Sequence, residues 1–371
     1  SVKTGAALWT GSFNEKFTDI FAVQDAIAER VAGALALQLN YEDRQRLTKR
    51  YTQNADAYEL YVRGRYHVNK LTPSDMQAGI SYFQQAIAID SSYALAYVGL
   101  ANVFLRIPVA GEMPSTQFFP KAKEAAQKAI EIDEHLAEAH AALGWITFWY
   151  DWNWKQSENH FRRALAIDPN NADSHLGYSH LLSNTGRHAE ALAEAKRARE
   201  LDPLNLLTIA LEGQFLLHAG RTEEALASLR KTCELEPHFW LGWVFESSAY
   251  IEKGMFAEAV AAAKKARDFS GGSSHAAAFG VYALAKSGNQ SDARGLLDEL
   301  LQLSNSRYVP PYILALAYNG LDEHAETFPW LERGYEQRDP KMVFLNVEPK
   351  WNNLRNDPRF HDLLRRVGFT A

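Results

Sequence analysis

Twelve histidines and one cysteine are the side chains best suited to hold a metal or attack a substrate. Their spacing does not bring them together. His135 and His140 stand five residues apart, as do His175 and His180. Ligands on one helical face recur at three or four residues, so neither pair makes half a zinc site. No His-Glu-x-x-His run occurs, and the histidines read as surface or structural groups. Cys233 is alone, which excludes an intrachain disulfide and a multi-cysteine zinc site. It reads as a buried, inert thiol where a helix packs. No Gly-x-Ser-x-Gly run marks a nucleophile, and no phosphate-cradling glycine loop is present. Gly271-Gly272-Ser273-Ser274 reads as a plain loop. No catalytic residue, metal or cofactor is expected, so the chain reads as something other than an enzyme.

The aromatic residues carry a stronger signal. Trp145, Trp149, Trp152 and Trp154 cluster around the run Phe148 to Trp154, FWYDWNW. One reading is packing against the proline-rich stretch Arg106 to Pro120. The other is an aromatic platform for a partner side chain, since aromatics are favoured interface anchors. Arg355, Arg359, Arg365 and Arg366 near the end read as the solvated face of a helix rather than a nucleic-acid patch.

The elements that position these residues are set by a repeat. Six-residue phrases end at Pro169, Pro203 and Pro237, as ALAIDP, ARELDP and TCELEP, at 34-residue steps. Variants end at Ser91 and Glu134. Each phrase closes a helix, because proline cannot continue the ladder and restricts the residue before it. Gly186, Gly220 and Gly254 fall where a helix must turn with positive φ. Ala191 and Ala225 allow two helices to cross closely, and Phe161 and Leu229 fill the space beside them. A hairpin built this way keeps an apolar face that only a neighbour can cover. The units fall at 57–93, 94–136, 137–171, 172–205, 206–239, 240–273, 274–308 and 309–342.

The balance of the chain agrees. Hydrophobic residues are 47% and charged residues 23%, as in a folded chain. A net charge of −6 argues against general nucleic-acid binding, which needs a basic surface. No run of about 18 apolar residues is present to span a membrane. Residues 6–13, AALWTGSF, suit a strand. From Asp19 a helix is predicted, with Ile20, Val23, Ile27, Val31, Leu35 and Leu39 on one face. At the other end Asp357 suits an N-cap, Pro358 a first helical position and Gly368 a stop.

The 34-residue period with these glycine, alanine and proline positions resembles the tetratricopeptide repeat. The resemblance covers about 57–342. It implies an all-α chain, a right-handed α-α superhelix of about eight hairpins, preceded by a short strand and closed by a C-terminal capping helix. LWTGSFNEKFTDIFAVQDAIAERVAGAL (Leu8 to Leu35) and the ending WNNLRNDPRFHDLL resemble a group of bacterial regulators. In that group a winged-helix or adenylate cyclase domain comes first, then a TolB-like α/β domain, then the repeats. The implied division is 1–52 as strand and linker helix, 53–342 as the array and 343–371 as the capping segment.

By the same resemblance the groove positions are Tyr61, Arg65, Asn102, Arg106, Trp145, Trp149, His180, Asn184, Gln214, His218, Tyr282 and Lys286. Amides there could bond a peptide backbone, and cations could hold an acidic group. Val98 stands where a carboxylate clamp would place lysine. The expected partner is a protein or peptide, with no direct nucleic acid and no membrane. The expected setting is cytoplasmic, or periplasmic if a parent chain carries an upstream membrane helix. A small-molecule-sensing domain is the alternative. The strand at 6–13 would present an unpaired edge, which could fold back on the repeats or pair with a second copy as a homodimer.

Overall fold

The computed structural model describes residues 50–68, 70, 72–110 and 112–369. The strand at 6–13, the dimer edge it would supply and the linker helix lie outside them. Among the described residues every regular element is helical. Contacts divide the chain into units of residues 1–100 and 101–371.

In the first unit α1 (Ala55–Val68) packs on α2 (Pro73–Ile89), and α3 (Ala94–Ala110) begins. Thr72 caps α2 by accepting from Asp75 N. Phe83 is 1% exposed and holds the three helices together, touching the backbone positions of Gly64 and Gly99. Thr52 Oγ1 donates to Asp90 and ties the entering chain to the end of α2.

The second unit contains the rest of α3 and α4 (Ser115–Ile132), then α5 (Ala137–Ile146), α6 (Trp154–Ile167), α7 (Ala172–Asn184), α8 (His188–Leu201), α9 (Leu206–His218) and α10 (Thr222–Leu235). It continues with α11 (Trp240–Glu252), α12 (Phe256–Phe269), α13 (Ser274–Lys286), α14 (Gln290–Ser304), α15 (Pro311–Gly320) and α16 (His324–Glu336). From α5 onward each first helix packs on its own second helix and on the first helix of the next pair. First helices start at Ala172, Leu206, Trp240 and Ser274, a constant step equal to the sequence period. The turn position repeats at the same step. Gly186, Gly220, Gly254 and Gly288 have φ between +69° and +87° there. The same step reaches Trp152 on one side and Asp322 on the other, left-handed at φ +55° and +60° without being glycine.

The sequence phrase that closes each second helix works through its acid as well as its proline. Asp168 sits extended after the last helical turn, and Asp202 leaves the helical region at φ −133°, as the residue before a proline is driven to do. Asp90 and Asp133 adopt the same backbone although serine and glutamate follow them. The shared device is the carboxylate: Asp90, Asp133 and Asp168 each accept from the backbone N–H two residues on.

The stretch Arg106 to Pro120 is helical for most of its length, because α3 runs past Pro108 and α4 includes Pro120. Between them Glu112 is left-handed, at φ +52°. Its carboxylate accepts from Ser274 N, Ser274 Oγ and Ser273 Oγ at the start of α13, and pairs with Arg307. A helix start buried this way needs an acceptor for its free N–H groups. Glu112→Ala is therefore expected to cost about 1–2 kcal/mol, the scale of a lost N-cap. The urea midpoint measures this, and an unchanged midpoint would contradict the capping role.

The C-terminal residues form short 3-10 turns at Pro340–Phe344 and Pro349–Leu354, then α17 (Pro358–Arg366). Asp357 caps α17 by accepting from Arg359 N, and Gly368 ends it at φ +95°. Arg359, Arg365 and Arg366 pair with Asp357, Asp362 and Glu332, and Arg355 donates to Asn346 O.

Candidate functional site

The face of the second unit built from first helices is the candidate site. It is not bare: residues 339–355 of the same chain lie on it. Asp339 anchors one end. It is fully buried, accepts from Tyr312 N at 2.9 Å and from Lys341 N at 3.0 Å, and so caps both α15 and the first 3-10 turn. Burial pushes its carboxyl above the ordinary range.

Phe344 follows, half-buried among rings. Its centroid lies 5.8 Å from Trp149, 5.8 Å from His180, 6.2 Å from His218 and 6.5 Å from Tyr312. Asn346 Nδ2 donates to Asn184 O at 3.2 Å. Lys350 is 1% exposed, and its Nζ donates to Glu348 Oε1 at 2.8 Å and to Ser248 Oγ at 2.5 Å. The same Nζ stands 4.7 Å over the Phe279 ring. Lys350 O accepts from Asn319 Nδ2 at 2.7 Å, and Trp351 Nε1 donates to Tyr312 Oη at 2.9 Å. The segment, folded into two 3-10 turns, is thus held mainly through its side chains and at Lys350 through its backbone carbonyl.

The sequence-derived groove positions fall into two sets. Trp145, Trp149, His180, Asn184, Gln214, His218 and Tyr282 are all at most 9% exposed. Trp149, His180, Asn184 and His218 directly touch the C-terminal segment, and Tyr282 Oη reaches Lys350 O at 3.5 Å. Trp145 stacks on Trp149 with 7° between planes and donates to Asp173. Arg65 is exposed, while Asn102, Arg106 and Lys286 are half-buried, Lys286 pairing with Asp322. Tyr61, in the first unit, packs against Phe83 and Tyr93.

Counting by sequence skipped Ser248, although it lies one period after Gln214 and one period before Tyr282. Phe279, Tyr312 and Asn319 were also missed. They lie outside the counted register, and only the path of the C-terminal segment gives them a role.

His180 and His218 owe their state to this burial, which pushes both down to about 3. Three polar atoms of the same wall are buried without a hydrogen-bond partner: Asn184 Oδ1, Gln214 Oε1 and His218 Nε2.

The aromatic turn forms a π-helical segment, Thr147–Asp151. Phe119 of α4 stacks on Tyr150 at 5.1 Å and Lys123 pairs with Asp151, so part of it packs on the proline-rich stretch. Its other rings meet the C-terminal residues: Trp152 lies by Tyr335 and Arg338, and Trp154 stacks on Phe369 at 4.8 Å. Cys233 is 3% exposed, and burial raises its thiol far above the range in which it would ionise. Among the described residues no cluster of three metal-ligating side chains occurs, and no helix is long and apolar enough to cross a membrane.

Comparison with known proteins agrees with this architecture. Residues 153–209 match the tetratricopeptide repeat family. A protein named putative adenylate cyclase 3 from Rhizobium meliloti is 28% identical over 149 residues, 39% of this chain and 25% of that protein. Transcriptional regulator HilA of Salmonella typhimurium is 28% identical over 137 residues, 37% of this chain and 25% of that protein. The chain thus matches about a quarter of the length of these curated relatives. Yeast Tom70 superposes with a TM-score of 0.52 at 14% identity, over 95% of this chain and 79% of that one, which speaks to the fold alone.

Proposed function

From the tetratricopeptide repeats this chain carries, we propose that it is a non-catalytic scaffold that binds a protein or peptide, and that it forms the interaction part of a bacterial signalling or transcriptional regulator. The observation that carries the binding reading is the wall of first helices already holding a peptide segment through rings, amides and a cation. The regulatory reading is supported by the names of the two relatives above. Arg65 in the first unit, and Asn102, Arg106 and Lys286 in the second, are the counted groove positions that solvent still reaches. Those of the second unit combine cations with an amide, a set suited to a peptide with an acidic group and a free backbone.

A displayed library of random peptides, panned against the full chain, tests this. The expected result is one enriched motif whose binding weakens about tenfold when Asn102, Arg106 or Lys286 becomes alanine, as interface anchors do. A library that returns no motif, or one indifferent to all of these substitutions and to Arg65→Ala, would defeat the reading.

A further inference from the structure

We propose that the first-helix wall of the second unit is a peptide-recognition surface whose resident occupant is Asp339–Arg355, and that it takes a partner peptide of the same chemistry by exchange. That chemistry is an aromatic side chain, a carboxamide two residues later and a cation six residues later, after Phe344, Asn346 and Lys350. The proposal rests on the peptide-binding reading above and adds the partner's pattern.

Two independent observations support it. The first is how the segment is held. Each of the three side chains meets its own part of the wall: Phe344 the rings of Trp149, His180 and His218, Asn346 the backbone of Asn184, and Lys350 Ser248 and Phe279. Asn319 reads the segment's backbone at Lys350 O, a contact open to any residue type there. These are the means by which a groove recognises a ligand by pattern.

The second is what the segment leaves undone. Asn184 Oδ1, Gln214 Oε1 and His218 Nε2, on the first helices of the same unit, are shut from solvent and unpaired, and each such atom opposes the arrangement that buries it. A peptide that offers partners to these atoms makes bonds the resident segment lacks. Phe344 itself is only half-buried, so the aromatic contact is open at one edge.

Exchange replaces like with like. The interactions that break as the resident segment leaves form again with the incoming one. The remaining handicap is the effective concentration of a tethered competitor, on the order of millimolar for a short link. Only Gln337 and Arg338 separate α16 from Asp339, so the tether is short. Wild-type affinity for a partner is therefore lowered by the small fraction of open wall.

The test uses the full chain and a fluorescein-labelled synthetic peptide with the sequence of residues 339–355, followed by anisotropy. Phe344→Ala in the chain weakens the resident copy. It is expected to tighten binding of the probe about tenfold or more, and the same substitution in the probe should abolish the gain. Equal binding to both chains, or indifference to the probe's phenylalanine, would overturn the proposal. If circular dichroism shows that the Phe344→Ala chain has unfolded, Asn346→Ala, which removes one bond from a half-buried side chain, is read instead. It should tighten the probe about threefold, and no gain would overturn exchange. A peptide selected from the library by the wild-type chain, together with no response to the probe, would remove exchange and leave the binding reading standing.

Discussion

Lys350→Ala is expected to destabilise the second unit by about 3–5 kcal/mol, the scale for stripping one partner from a buried ion pair. The reason is what stays behind. The Lys350 side chain is fully buried and that of Glu348 is 8% exposed, and the two meet at 2.8 Å. Without the ammonium, Glu348 keeps a charge away from water, and Ser248 and the Phe279 face lose a partner. Removing both charges while keeping their volume behaves differently, since a buried pair is often no better than apolar groups of the same shape. Lys350→Met with Glu348→Gln should recover most of the loss. Guanidinium unfolding followed by tryptophan fluorescence measures both. A loss below about 1 kcal/mol for Lys350→Ala, the scale of a surface pair, would show that the segment does not bury this lysine.

Acid should loosen the same wall. His180 and His218 are neutral when folded because burial holds their pKa near 3, whereas an unfolded histidine titrates near 6.5. Between these values the unfolded chain binds more protons, so stability falls as pH drops through that window. Each histidine contributes at most about 1.4 kcal/mol per pH unit there, and nothing above about pH 7. Asp339 acts in the opposite sense, since its raised pKa favours the protonated form in the folded chain. Burial raises Glu212 and Glu252 in the same sense as Asp339, while it lowers His275, His160 and His188 in the same sense as the two histidines. The urea midpoint should drop between pH 7 and pH 5, and His218→Gln should make the slope shallower. A midpoint independent of pH over that range would contradict burial of both rings.

The array was legible in the sequence because its determinants are local. A glycine at the turn, an alanine at the crossing and an acid before proline recur once per period, and each acts within one hairpin. The non-glycine turns at Trp152 and Asp322 were hidden only because residue type no longer announced them. The C-terminal helix was equally local, with Asp357, Pro358 and Gly368 marking its ends.

The occupied wall was not legible. Phe344, Asn346 and Lys350 carry no periodic signal, and their partners are strung along most of the array, from Trp149 to Asn319. Sequence counting named Trp149, His180, Asn184 and His218 as groove positions but gave no hint that the chain itself would cover them. The aromatic turn shows the same limit. Its packing on Phe119 could be anticipated from the neighbouring stretch, while its contacts with Tyr335 and Phe369 depend on a path that no local rule sets.

The placement of residues 340–354 on that wall can be read directly by hydrogen exchange of the full chain, followed by mass spectrometry at neutral pH. The backbone N–H groups of Met342, Leu345, Trp351 and their neighbours should be protected, exchanging over minutes to hours rather than seconds. Exchange of this stretch within seconds, while α9 stays protected, would mean that the segment does not rest there.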